Sequence, residues 1–132
     1  MRFLILAVAV AGLGCSGALE PEIGDEFELR VGRSVIFEDA GLWVAFLGVA
    51  EDSRCPTRVQ CVWAGDALVL VETAPYPDAG NSKTDTLHTH QDPKVLSLGA
   101  VELELVGLDP YPEEPGSIEA ADYVARFRTV AR

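Results

Sequence analysis

The sequence predicts an all-β protein: a single antiparallel β-sandwich, or a small open barrel, of about seven to eight strands after a signal peptide. Short runs rich in Val, Leu, Ile and aromatic residues recur along the chain, and turn signals containing Gly, Pro, Asn and Asp separate them. Helical periodicity is almost absent. The length of 132 residues allows one domain and leaves no room for a second.

The first 18 residues, MRFLILAVAVAGLGCSGA, predict an export signal. Arg2 precedes an apolar run from Phe3 to Leu13, and small residues follow that run. The run is short for a membrane-spanning helix. We therefore divide the chain into residues 1–18 as the signal or lipobox region, 19–25 as a linker and 26–132 as the β domain.

Two cleavage sites compete in this region. Residues 16–18, Ser-Gly-Ala, suit an ordinary signal peptidase and would leave Leu19 as the first residue. Residues 13–15, Leu-Gly-Cys, resemble the end of a bacterial lipobox, although Gly12 stands where Leu is usual. Ser16 after an acylated Cys15 resembles lipoproteins sent to the outer membrane.

The cysteine count favours the lipobox. An exported protein with three cysteines has one that requires an explanation. If Cys15 carries lipid, Cys55 and Cys61 remain as a pair. We therefore expect a lipid anchor on Cys15 and a location in the bacterial cell envelope, at the outer membrane, facing the periplasm or the cell surface.

Each strand has its own sequence signal. Residues 42–49, LWVAFLGV, are apolar on both faces, which predicts a central strand. A long strand over 60–73 would contain a break or bulge at Gly65. Residues 101–106 and 122–130 alternate between apolar and polar side chains, as a half-exposed strand does. The other predicted strands are residues 27–30, 34–38, 86–90 and 94–98.

The last of these segments has an alternative. Residues 118–127, IEAADYVARF, show a weak period near four, so a helix could begin there. The alternation of Tyr123, Ala125 and Phe127 with Arg126 and Arg128 favours the strand.

Two strings in the middle of the chain carry a resemblance. Residues 51–56, EDSRCP, and 61–67, CVWAGDA, are similar to a D-S-R-C-P…C-x-W-A-G signature shared by a group of uncharacterised bacterial exported lipoproteins. Further matches are LHT at 87–89, LDPYP at 108–112 and DYVA at 122–125. The resemblance covers the chain from about Leu42 to Ala125. It implies a small exported β domain and implies no reaction.

The spacing of Cys55 and Cys61 differs from that of a C-x-x-C redox pair, and no second pair is present to complete a zinc site. In an oxidising compartment we expect Cys55 and Cys61 to form a disulfide that closes the loop between them. Trp63 would share a strand face with Cys61 and pack over the bridge. Asp66 would lie on the opposite face, with Arg54 or Arg58 as its partner.

A candidate binding surface combines this loop with two Pro-Tyr-Pro turns. Its residues are Arg54, Arg58, Trp63, Tyr76 and Tyr111, and its expected partner is an unknown envelope protein. In an alternative interpretation, the disulfide-braced segment Arg54–Gln60 inhibits an exported protease through Arg54 or Arg58, because a pre-ordered loop loses little entropy on binding.

His88 and His90 are the only histidines. At i and i+2 of a strand they would share one face, where a carboxylate could complete a Zn²⁺ or Cu²⁺ site. A periplasmic metal-binding protein is therefore the other alternative. The favoured interpretation needs no cofactor and makes these histidines the polar, solvent-facing side of an edge strand.

Charge and motifs exclude several function classes. The net charge of −11 argues against nucleic-acid binding and against a polybasic membrane patch. The sequence contains no G-x-S-x-G, no H-E-x-x-H and no Gly-rich phosphate loop. The sequence thus predicts a monomeric, non-catalytic envelope lipoprotein domain that serves as a binding or structural module.

Overall fold

A computed structural model describes residues 20–132, which form two antiparallel four-stranded sheets. The strands are β1 (Glu26–Arg30), β2 (Ser34–Phe37), β3 (Leu42–Asp52), β4 (Ala67–Pro75), β5 (Lys83–His88), β6 (Val95–Leu98), β7 (Val101–Asp109) and β8 (Val124–Ala131). The front sheet has the order β2-β3-β4-β5 and the back sheet β1-β8-β7-β6. The predicted antiparallel sandwich is confirmed, and the sheets do not close into a barrel. The predicted signal region, with Cys15, lies outside the described residues.

One hydrophobic core fills the space between the sheets. Its largest fully buried side chains include Phe46 and Leu87 of the front sheet and Leu103 and Phe127 of the back sheet. The rings of Phe46 and Phe127 meet edge to face across the core, with centroids 6.3 Å apart. The alternation of strand residues supplies this core from both sheets.

Strand β3 lies inside the front sheet, as its apolar character predicts. It pairs with β2 and β4 and extends beyond the predicted end, to Asp52. Two irregularities interrupt its register with β4, the first between Phe46 and Gly48. Leu47 is the extra residue there: it has no partner on β4 and is 40% exposed, whereas Phe46 before it is fully buried and Val49 after it packs against the core.

The predicted strand over 60–73 is wrong in its first half, because β4 begins only at Ala67 and residues 53–66 form a loop. Gly65 explains the difference. Its φ is +70°, and a Cβ there would lie 1.8 Å from the carbonyl oxygen of Ser53. The backbone therefore turns at a place where only glycine fits, and the strand starts after that turn.

The alternative helix near residue 118 is also wrong. Residues 120–122 form one 3₁₀ turn, and β8 follows from Val124. Its pairing with β1 and β7 decides the conformation. Within residues 20–132, no helix has the length and apolar character that a membrane crossing requires.

Replacing Phe46 with Ala should lower the free energy of unfolding by about 3–5 kcal/mol, because it opens a cavity in the shared core. Leu47→Ala at the neighbouring, exposed position is the matched control and should cost less than about 1 kcal/mol. Urea denaturation followed by circular dichroism measures both values. Equal losses for the two variants would contradict the assigned register of β3.

Candidate functional site

The residues that the sequence singled out surround one end of the sandwich. The Cys loop (residues 53–66) leaves β3 and returns as β4, and the Pro loop (residues 110–116) follows β7 of the back sheet. The backbone N–H of Thr57 donates to Pro112 O at 3.1 Å, and that of Arg58 donates to Glu113 O at 3.1 Å. These two bonds join the loops along a short backbone ladder.

Arg54 fixes the base of the Cys loop from inside, since its side chain is buried with the residue only 4% exposed. Its guanidinium bonds the Asp52 carboxylate through two nitrogens, Nε to Oδ1 at 2.8 Å and Nη2 to Oδ2 at 2.7 Å. Nη1 donates to Leu108 O at 2.7 Å and Nη2 to Pro110 O at 3.0 Å. One side chain therefore ties the end of β3 to the end of β7.

A tyrosine from the back sheet completes this ion pair. Tyr123, just before β8, donates its hydroxyl proton to Asp52 Oδ2 at 2.9 Å. Burial tends to raise the pKa of Asp52, but the hydrogen bonds from Arg54 and Tyr123 and the charge of Arg54 hold that pKa below its usual value. Burial together with the bond and charge of Asp52 raises the pKa of Tyr123 to about 12. Both groups keep one protonation state near neutral pH.

Tyr111 covers the outer side of the same arginine. The Arg54 guanidinium carbon lies 5.1 Å from the centroid of the Tyr111 ring, within cation–π range. The Tyr111 hydroxyl donates to Cys55 O at 2.9 Å. The Pro loop thus packs on the Cys loop through a side chain that is itself 43% exposed.

The predicted disulfide joins Cys55 to Cys61, whose Cα atoms are 5.9 Å apart. Apolar side chains project from the Cys loop, one within the disulfide-closed segment and two just after it: Val59 is 43% exposed, Val62 104% and Trp63 66%. We call these three residues the tip. The expectation that Trp63 covers the bridge from a shared strand face is wrong, because no strand forms there and the indole faces solvent.

Asp66 holds the other end of the Cys loop and is 3% exposed. His88 Nδ1 lies 2.5 Å from Asp66 Oδ2, while the Thr89 hydroxyl and the His90 backbone N–H donate to Oδ1 at 3.1 and 2.9 Å. The expected arginine partner is therefore wrong. Burial raises the pKa of Asp66, but the bonds from His88, His90 and Thr89 outweigh it and lower the pKa to about 2.

The two histidines do not share a strand face. His88 is the last residue of β5 and is half-buried, whereas His90 lies beyond the strand and is exposed. His90 Nδ1 is 3.1 Å from the Thr89 hydroxyl. Among residues 20–132, no group of three or more His, Cys, Asp or Glu side chains is placed to hold a metal ion. The Zn²⁺ or Cu²⁺ hypothesis lacks a third protein ligand there.

The structure brings together part of the predicted binding surface. Arg58, Trp63 and Tyr111 lie on the joined loops, but Arg54 is buried beneath them. Tyr76 follows β4, at the end opposite to the Cys loop, and its N–H donates to Gly41 O at 2.8 Å. The nine residues of β4 place it about 26 Å away. The tip is the exposed apolar part of the two joined loops.

The protease-inhibitor alternative now depends on Arg58 alone. Its side chain is 65% exposed and pairs with Glu113 and Glu114 at 3.2 Å each. Its backbone N–H already bonds the Pro loop. That N–H is therefore not free to pair with the edge of a protease cleft, as an extended inhibitory segment would require.

Sequence reasoning missed Val59, Val62 and the bond between Asp52 and Tyr123. The valines had a signal, since Val62 directly follows Cys61 and Val59 stands two residues before it, where polar residues are usual. The bond had none, because it joins residues 71 positions apart. Comparison with protein families, with curated proteins and with solved structures gave no match for this chain.

Removing the buried guanidinium should weaken the fold strongly. Arg54→Ala leaves Asp52 as an uncompensated, largely buried charge, so the free energy of unfolding should fall by about 3–5 kcal/mol. Arg58→Ala, four residues along the same loop at a side chain that is 65% exposed, is the control and should cost less than about 1 kcal/mol. Urea titration at neutral pH gives both values. Similar losses would show that Arg54 is not the support of the loop.

Asp66 makes stability depend on acid pH. Its pKa in the folded protein, about 2, is below the ordinary value of 3.8. Its ionised form therefore adds about 2 kcal/mol above pH 4, which is lost as the pH falls towards 2. Asp66→Asn should lack this part of the acid-dependent loss. Urea titrations of both proteins between pH 7 and pH 2.5 measure the difference, and parallel pH profiles would contradict it.

Proposed function

We propose that this chain is a non-catalytic lipoprotein domain of the bacterial cell envelope that binds a partner protein through the tip. Residues 1–18 would direct export, and lipid on Cys15 would anchor the mature chain. The observation that carries the proposal is the exposure of Val62 and Trp63, at 104% and 66%, on a loop with a rigid base. The resemblance to exported lipoproteins supports the location.

Such a tip suits protein recognition for a physical reason. A tryptophan that enters a pocket of a partner is among the side chains that contribute most to binding free energy. The Cys loop is held by the Cys55–Cys61 disulfide and by Arg54. Binding would therefore cost little conformational entropy, because the loop is already ordered.

The titratable groups favour a non-catalytic role. Asp52, Asp66 and Tyr123 have shifted pKa values, which often mark catalytic residues. Here the polar atoms of all three bond neighbouring parts of the chain. Their pKa shifts are consequences of the hydrogen bonds that hold the loops in place. This supports the view that the three residues form the structural base of the tip.

The position of the tip also fits an anchored protein. The described chain begins at Glu20, beside Ile36–Asp39 at the β2–β3 turn. The tip lies beyond the other end of β3, whose 11 residues span about 33 Å. Lipid attached near the N-terminus would leave the tip accessible.

A photoreactive residue placed at position 63 in cells should give a discrete cross-linked adduct with an envelope protein. The substitution Val62→Asp should abolish that adduct, because a charge beside the anchor residue opposes its burial. The matched control is a photoreactive residue at Tyr76, an aromatic position at the opposite end. Adducts of equal yield from both positions, or none from position 63, would overturn the proposed binding surface.

The anchor has its own test. The mass of the mature protein from bacterial membranes should correspond to a chain that begins at acylated Cys15. The variant Cys15→Ser should leave the membrane fraction. A mature chain that begins at Leu19 without lipid would overturn the anchor while leaving the binding surface to be judged by cross-linking.

A further inference from the structure

The outward side of the front sheet is unusually apolar. Five side chains on it, which we call the outer front face, are Ile36, Trp43, Leu47, Leu68 and Leu70. None of them belongs to the core between the sheets. Cross-strand pairing places Ile36 beside Trp43, and Leu70 opposite Gly48 next to Leu47. Although β3 is apolar on both sides, only one of those sides packs in the core.

The outward side of the back sheet is different. Arg128 pairs there with Glu26 and with Glu104 on the two neighbouring strands. Arg126 pairs with Asp109, and Arg132 with Glu102. The same sandwich thus has one outer face built from ion pairs and one built from apolar side chains.

Strand pairing also places two acidic residues, Glu51 and Glu72, on the outer front face. Net charge does not select this face for a membrane, because arginines neutralise the acidic residues of the back face. The apolar side chains do select it, since burying apolar surface at the headgroup boundary is favourable, whereas burying ion pairs requires their desolvation. Trp43 on that face suits the headgroup region, where amphipathic rings concentrate.

The start of the described chain lies at the edge where β1 of the back sheet and β2 of the front sheet are neighbours. Glu20 lies near Ile36 of β2 and near Glu28 of β1, so both outer faces are close to it. Cys15 precedes it by five residues, a reach of about 17 Å when extended. The four strands of the sheet are about 14 Å across. A lipid on Cys15 would hold the whole width of the face within reach of the bilayer.

We propose that the outer front face rests on the lipid surface that holds the Cys15 anchor. This inference rests on the proposed lipid anchor and deepens it. With the front sheet against lipid, the strands run along the membrane and the tip projects sideways. The partner of the tip is then a protein of the same membrane.

Tryptophan quenching tests the orientation, because the chain has two tryptophans on different surfaces. The lipidated full chain is reconstituted into vesicles of phosphatidylethanolamine and phosphatidylglycerol, with and without brominated acyl chains. Trp63→Phe leaves Trp43, whose emission the brominated lipid should reduce. Trp43→Phe leaves Trp63, whose emission should not change. Quenching of Trp63 alone, or of neither, overturns the inference.

Two charge substitutions at equally exposed positions, one on each outer face, provide a matched comparison. Leu47 on the outer front face is 40% exposed, and Val130 on the outward side of the back sheet is 41% exposed. In the Trp63→Phe background, Leu47→Glu should abolish the quenching of Trp43, whereas Val130→Glu should preserve it. Circular dichroism confirms that each variant is folded. Equal behaviour of the two overturns the assigned face.

The remaining outcomes separate the two proposals. Mass spectrometry of the same sample reports acylation of Cys15, and its absence overturns the anchor and this inference together. With acylation present, an unquenched Trp43 overturns the orientation only. A cross-linked dimer through the outer front face, with Trp43 unquenched, would assign that face to a second copy of the chain and overturn the contact with lipid.

Discussion

The buried ion pair between Arg54 and Asp52 is the constraint on which the rest of this end of the molecule depends. Its four side-chain hydrogen bonds reach the end of β3 and the end of β7, and Tyr123 adds the start of β8. A buried guanidinium is costly unless its donors are paired. Here Asp52 and the carbonyls of Leu108 and Pro110 supply those partners, so the two sheets and both loops meet in one geometry.

The protein places polar groups inside and apolar groups outside at its candidate site. Arg54 and Asp66 lie beneath the loops, while Val62 and Trp63 face solvent. The two features are linked physically. The apolar side chains of the tip point away from the sandwich, so the buried charges of Arg54 and Asp66, with their directional bonds, fix the base of the loop instead. The apolar side chains of the tip take no part in fixing the base and remain exposed.

Much of the architecture could be predicted from the sequence because its signals are local. Alternation identified β7 and β8, and the continuous apolar run identified β3 as a central strand. The cysteine count, together with the expectation of an oxidising compartment, predicted the Cys55–Cys61 disulfide. The beginning of β4 was not predictable in the same way. It depends on the close approach of Gly65 to Ser53, which joins residues on opposite sides of a loop.

By itself, the sequence determined the all-β class, the two-sided apolar strand and the cysteine pair, because propensity, period and spacing are properties of neighbouring residues. Only the tertiary structure decided that Arg54 is buried and Trp63 exposed. Both residues lie in one polar loop, and nothing in the loop distinguishes their environments. The carbonyls of Leu108 and Pro110 accept hydrogen bonds from Arg54 and offset the cost of its desolvation. Trp63 stays exposed because no strand forms that would place its indole against the disulfide.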